Sequence, residues 1–108
     1  MNKYRAQKVE LDGIVFASRK EGRRYQDLKL LEKAGEISGL QIQVKHELIP
    51  SQRDEDGKYV RAVYYVSDFE YIQDGRKVVE DVKGYRTKEY KLKKKLMLFL
   101  EGITVREV

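Results

Sequence analysis

The feature that most constrains the fold of this chain is the pair Asp74-Gly75, which lies between two long stretches rich in β-branched and aromatic residues. The first stretch runs from about Tyr59 to Ile72 and the second from Lys77 to Lys83. Gln73-Asp74-Gly75-Arg76 turns the chain back, so the stretches are expected to be antiparallel neighbours. Reflection about the turn sets Asp68 opposite Asp81, with Cα atoms roughly 5.5 Å apart. Both acids interrupt apolar runs, in Ser67-Asp68-Phe69 and in Glu80-Asp81-Val82-Lys83-Gly84. Aspartate disfavours strands, and a buried charge has to be paired or hold a cation.

Strand alternation puts Asp81 and Lys83 on one face and turns Glu80 to the other. Facing carboxylates destabilise a sheet unless positive charge lies between them, and a divalent ion supplies it. Two carboxylates, a metal and a lysine suit phosphodiester hydrolysis: the ion polarises the phosphate and acidifies a bound water, and the lysine offsets developing charge. An ordinary cross-strand ion pair between Asp68 and Lys83 is the plainer reading of the same residues. Glu80 is expected to be a surface or second-layer partner of an arginine or lysine, which leaves Asp81 as the better ligand.

The residue inventory narrows the chemistry further. The chain has no cysteine and a single histidine, His46, so disulfides, thiolate zinc sites and multi-histidine metal sites within one chain are excluded. Any metal site must use oxygen ligands, which favours Mg²⁺ or Mn²⁺. His46 is expected to be structural or exposed, with no catalytic role. The 108 residues suit one domain, and a formal net charge of +5 points towards a polyanion. No apolar run approaches the ~20 residues that span a bilayer, and Met1–Arg5 lacks a signal-peptide core, so a cytoplasmic location is expected.

Local signals fill in the remaining elements. Lys8–Leu11 and Ile14–Ala17 flank Asp12-Gly13 as a small hairpin. Ser18 caps a helix from Arg19 to Lys33, with Glu21 at the capping-box position and Gly35 past the end. Its buried stripe is Tyr25, Leu28 and Leu31, with Glu21 at the N-terminal edge of the same side. Leu40, Ile42 and Val44 alternate as a strand, Pro50–Gly57 is a polar, mobile loop, and Thr87 caps a helix from Lys88 to Leu100 ended by Gly102. Ile103–Val108 closes as a strand, and the preceding helix is the crossover of a parallel pair.

These residues resemble the PD-(D/E)XK nuclease superfamily, in which an acid precedes a turn and an acid-x-lysine strand follows. Asp68, Asp81 and Lys83 match those three positions, and Glu21 matches the helical glutamate of the resolvase-like branch. Ser67 stands where the named motif has proline. Within that superfamily the chain is most similar to small phage-encoded endonucleases of the junction-resolving type. The resemblance implies an α/β (α+β) fold with a restriction-endonuclease-like core: a mixed sheet of about four strands flanked by two helices. Residues 18–108 form that nuclease core, and residues 1–17 add an N-terminal arm and hairpin to the single domain.

It also implies a catalytic set of Glu21, Asp68, Asp81 and Lys83. Glu21, Asp68, Asp81 and the backbone carbonyl of Val82 are the implied metal ligands. Mg²⁺ or Mn²⁺ is the expected cofactor, with no small-molecule cofactor and no membrane. Branched DNA is the expected substrate, cut to 5′-phosphate ends by a phage- or prophage-encoded homodimer. Candidate DNA contacts are Lys20, Arg23 and Arg24 on the first helix, the stacking residue Tyr85, and Lys88 and Lys91 on the second helix. A non-catalytic DNA-binding module of the same fold is the alternative.

Overall fold

The computed structural model describes residues 7–82 and 86–108. Lys83, Gly84, Tyr85 and the arm Asn2–Arg5 therefore lie outside the described residues. The chain begins with strands β1 (Val9–Leu11) and β2 (Ile14–Phe16), joined through Asp12-Gly13 as an antiparallel hairpin. Helix α1 (Arg19–Lys33) follows, with Ser18 Oγ accepting the Glu21 N–H at 3.1 Å and Gly35 in the left-handed region beyond its end. The hairpin lies close on α1 because Gly22 has no side chain. A Cβ there would stand 2.6 Å from Val9 Cγ2.

The central sheet has four strands in the order β10 (Arg106–Glu107), β9 (Arg76–Asp81), β8 (Phe69–Gln73), β3 (Ser38–Ile42). The β8–β9 hairpin turns on Asp74 (φ 53°) and Gly75 (φ 76°), both left-handed, the geometry of a two-residue primed turn. That turn sets Phe69 opposite Glu80 and Tyr71 opposite Val78, the register expected from reflection. β10 runs parallel to β9 and is reached through helix α2 (Lys88–Glu101), which starts on Thr87 and ends on Gly102. The sheet is thus mixed, in an α+β fold with two helices among the described residues.

The expected long strand from Tyr59 to Ile72 is divided into three: β6 (Tyr59–Val60), β7 (Val63–Val66) and β8. Its partner is divided at the same level. Gln43 adopts φ 51° between β3 and β4 (Lys45–Ile49), so Val44 lies outside the strand expected to contain it. β4 pairs with β7, and Gln43 N–H to Asp68 O (3.0 Å) and Ser67 N–H to Val44 O (2.9 Å) carry the ladder across the break. The segment Pro50–Gly57, expected to be a polar and mobile loop, instead contains β5 (Gln52–Arg53) paired with β6. Asp54 Oδ1 closes that hairpin by accepting the N–H groups of Asp56 and Lys58 at 2.9 Å each.

Alternation along β8 and β9 divides the core. On one face, Phe69 and Tyr71 join Phe16, Tyr25 and Leu28 under α1. On the other, Val79 joins Leu48, Tyr65, Tyr90, Met97 and Val105 around α2. Each face also buries an acid. Glu80, fully buried, takes Arg24 Nε and NH2 at 2.8 and 2.6 Å and the Tyr71 hydroxyl, itself bonded by Arg106. Glu70 is bonded by His46 and by Ser67 Oγ (2.8 Å), with Lys77 Nζ at 3.3 Å from its other oxygen. His46, buried and stacked on Tyr65, also meets Glu101 at 3.0 Å, so it joins β4 to β8 and to the end of α2.

The Arg24–Glu80 pair ties α1 to the central strand. Its bidentate bonds hold the Arg24 guanidinium firmly charged, against the opposing effect of burial. Arg24→Met would leave Glu80 as a buried charge without its cation and is expected to cost about 3 kcal/mol in urea unfolding. Adding Glu80→Gln to that variant should recover part of the loss.

Candidate active site

Asp68 sits in the bend between β7 and β8, one step beyond the last β8–β9 pair. Its N–H donates to Glu80 O (3.1 Å), and its Oδ2 accepts the Val82 N–H (2.7 Å), so it clamps the end of β9 from both sides. Asp81 is the last residue of β9 and is buried, with Tyr65 Oη donating to its Oδ2 at 2.7 Å. Glu21 arrives from the first turn of α1, where Ser18 Oγ donates to its Oε2 at 3.3 Å. The Glu21 and Asp68 side chains are hydrogen-bonded to each other. The fold therefore brings Glu21 and Asp68 into contact, with Asp81 close enough to act on Asp68 through its charge.

Burial is the main cause that pushes the Asp68 carboxyl up, to about 8. The Val82 N–H opposes the shift, while Asp81 and Glu21 reinforce it. A carboxyl shifted this far holds its proton at neutral pH. Among the described residues no three acid or histidine side chains are spaced to enclose an ion as they stand. The donor set nevertheless fits a hard cation: it is all oxygen, and the like charges that raise Asp68 are what a cation would relieve.

Two clefts open beside these acids. One, of about 320 Å³, is lined by Tyr64, Tyr65, Asp81, Tyr90 and Lys93. The other, of about 330 Å³, lies on the α1 side and gathers Lys20, Arg23 and Arg24 around Val82 and Val108. A larger cavity, of about 740 Å³, runs along α1 away from the acids. Its buried tyrosine, Tyr25, is already bonded to Asp12 at 2.7 Å, so the smaller clefts hold the convergent chemistry.

The expected DNA contacts fall into different settings. Arg23 is exposed on α1, and Lys20 beside it is exposed at the mouth of the α1-side cleft. Arg24 reaches the same cleft, but its guanidinium is engaged with Glu80. Lys88 and Lys91 are exposed on α2, whereas Lys93 is paired with Glu89 at 2.9 Å. Lys83 and Tyr85 lie outside the described residues, and Val82 directly follows the last residue of β9.

Sequence reasoning missed Tyr65, whose hydroxyl orients Asp81, and the Tyr71–Arg106 support of Glu80. The available signal was that a tyrosine at an inward strand position needs a partner for its hydroxyl. With the geometry in view, the comparison with known proteins adds one finding. Residues 1–101 match the family described as Protein of unknown function (DUF1064). The chain belongs to this family. No curated protein and no solved structure shows a significant match to it.

The state of Asp68 makes a pH-dependent prediction. Its usual carboxylate value is 3.8, against about 8 in the folded chain. Across that window the folded chain keeps a proton that the unfolded chain has released, so stability falls as pH rises and levels off above about 8. Asp68→Asn cannot ionise. In EDTA it is expected to match the native chain near pH 4 and to melt about 5 °C higher above pH 8, followed by circular dichroism.

Proposed function

We propose that this DUF1064 member is a metal-dependent DNA endonuclease that hydrolyses phosphodiester bonds in branched DNA, such as a four-way junction. The observation that carries this reading is the set of groups around Asp68. The buried acids with structural roles have cationic partners: Glu80 has Arg24, and Glu70 has Lys77. Among the described residues Asp68 has only the Val82 N–H and two further acids. A buried carboxyl set against like charges is destabilised when it ionises, and a cation beside it would offset that cost.

Glu21, Asp68, Asp81 and the Val82 carbonyl would hold Mg²⁺ or Mn²⁺. When bound, the ion polarises the phosphodiester and lowers the pKa of a coordinated water. The chain's own groups prepare the site. The Tyr65 hydroxyl keeps one Asp81 oxygen engaged and fixes the plane of that carboxylate. Ser18 steadies Glu21 at the start of α1. Lys83, matched to the superfamily's lysine by resemblance, would orient the attacking water and offset charge on the phosphoryl oxygens. Lys20, Arg23, Lys88 and Lys91 would contact backbone phosphates, which sets affinity without reading sequence.

The mixed four-stranded sheet between two helices, and the arrangement of Asp68 just before β8 with Asp81 at the end of β9, are consistent with a restriction-endonuclease-like core. Cutting two strands of a junction calls for a symmetric dimer, and the outward face of the β1–β2 hairpin, where Val15 is exposed, is the proposed contact. A cytoplasmic location belongs to the same proposal. The second reading, a DNA-binding module without activity, is favoured by the Tyr65–Asp81 bond, which accommodates one of the acids without a metal.

Cleavage separates the two readings. The native chain is expected to cut a four-way junction with Mg²⁺ or Mn²⁺ and to stop in EDTA. Asp81→Ala and Lys83→Ala should lose at least about 100-fold in rate while still shifting DNA in a gel. Wild-type rates in both variants would rule out the site. A panel of linear, flapped and four-way substrates tests the preference for branches, since equal cutting of all three would remove the junction selectivity and leave a general nuclease.

A further inference from the structure

β10 runs alongside β9 with Glu107 level with Asp81, and the Val108 N–H bonds the Asp81 carbonyl at 3.1 Å. The Glu107 carboxylate is therefore one strand away from the acid cluster. It collects three donors: Tyr90 Oη at 2.8 Å, Arg86 Nε at 2.8 Å and Lys94 Nζ at 3.3 Å. The tyrosine hydroxyl and the two cations hold that carboxyl down to about 2 against the effect of burial, so it stays ionised at any working pH. Its effect is to fix Arg86, outside any helix, and Lys94, on α2, in one place.

Around this anchor lies a cavity of about 440 Å³ that also takes in Lys91, Lys95, Leu98 and Thr104. Lys91, Lys95 and Leu98 follow helical spacing along one face of α2. Lys91 and Lys95 form a repulsive i,i+4 pair, and among the described residues neither has a carboxylate partner. Four cations thus share a cavity with one carboxylate, and Leu98, Thr104 and the lysine stems supply its apolar wall. An anion is the missing member. Arg86 presents a planar fork suited to phosphate oxygens, and the two lysines at the mouth supply point charges.

We propose that this cavity is a phosphate subsite which holds the DNA backbone on the α2 side of the carboxylate cluster, opposite the Lys20–Arg23 cleft on the α1 side. Arg86 and Lys94 form its fixed floor, and Lys91 and Lys95 its mobile rim. The strand would then run across the end of the β9–β10 pair, past Asp81, with phosphates gripped on both sides. The inference rests on the DNA-binding part of the function proposed above and not on cleavage.

Fluorescence anisotropy in EDTA, with a labelled four-way junction and a labelled duplex over a sodium chloride series, tests it. The variant is Lys91→Gln/Lys95→Gln, both exposed and away from the acids. The control is Lys29→Gln/Lys33→Gln on α1, which removes the same charge elsewhere. The subsite predicts a loss of about tenfold or more in affinity on both probes and a log–log salt slope shallower by about 1 for each phosphate contact removed. The control pair should change neither by that amount.

Native affinity and slope in the α2 variant would overturn the proposal, as would an equal effect in the control pair, which would mean a net-charge effect alone. Failure of the native chain to bind either probe would overturn the proposal and the function together. Binding with the predicted variant effect but no cutting in Mg²⁺ would overturn only the nuclease reading and leave the subsite standing.

Discussion

The β8–β9 register is the constraint on which the rest of the molecule depends. Asp74 and Gly75 both occupy the left-handed region, a two-residue turn whose twist matches the strands it joins, and the pairing from Gln73–Arg76 to Phe69–Glu80 follows without a slip. A slip of one residue would exchange the two faces of β9. Val79 and Asp81 would then lie under α1, and Glu80 would meet Tyr90 and Met97 in place of Arg24. Both cores, both buried acid networks and the facing of Asp68 to Asp81 rest on that one turn.

The buried acids show how position decides what a carboxylate does. Glu80 and Asp81 are neighbours on one strand and almost equally buried, yet they point into different layers. Glu80 meets an arginine from α1 and becomes a brace between helix and sheet. Asp81 emerges at the sheet's end near Asp68 and a tyrosine hydroxyl. A brace is satisfied by its arginine, whereas the Asp68 carboxyl holds its proton because burial and like charges both oppose its ionisation. That contrast, more than the number of acids, is the physical case for a cation and hence for the proposed nuclease.

Much of the local architecture was legible because its causes are local. Ser18 and Thr87 cap helices that begin one residue later, and Gly102 ends α2 in a left-handed conformation. The bend at Gln43 and Asp68 was not legible, because Gln43 has no turn signature and its positive φ arises only where the β3–β4 and β7–β8 strands deviate together. β4 escaped notice because its inward positions are His46 and Leu48, and a histidine reads as polar until Glu70 and Glu101 are found beside it. Asp54 likewise orders a polar segment through backbone N–H groups two and four residues on, an effect that composition does not disclose.

The sequence by itself determined the turn, the caps, the helix faces and the β8–β9 register, since each depends on residues within a few positions or on reflection about one turn. It also supplied Glu21 as a candidate, through its place in the first turn of a capped helix. Tertiary structure decided which cations were available for which acids. Arg24 is 56 residues from Glu80, and its bidentate pairing cannot be read from either neighbourhood. Only the folded chain set Arg86, Lys94 and Tyr90 around Glu107, and only it placed Asp68, among the described residues, with two acids and the Val82 N–H. Charge sums over a sequence, but burial and distance determine which charges meet.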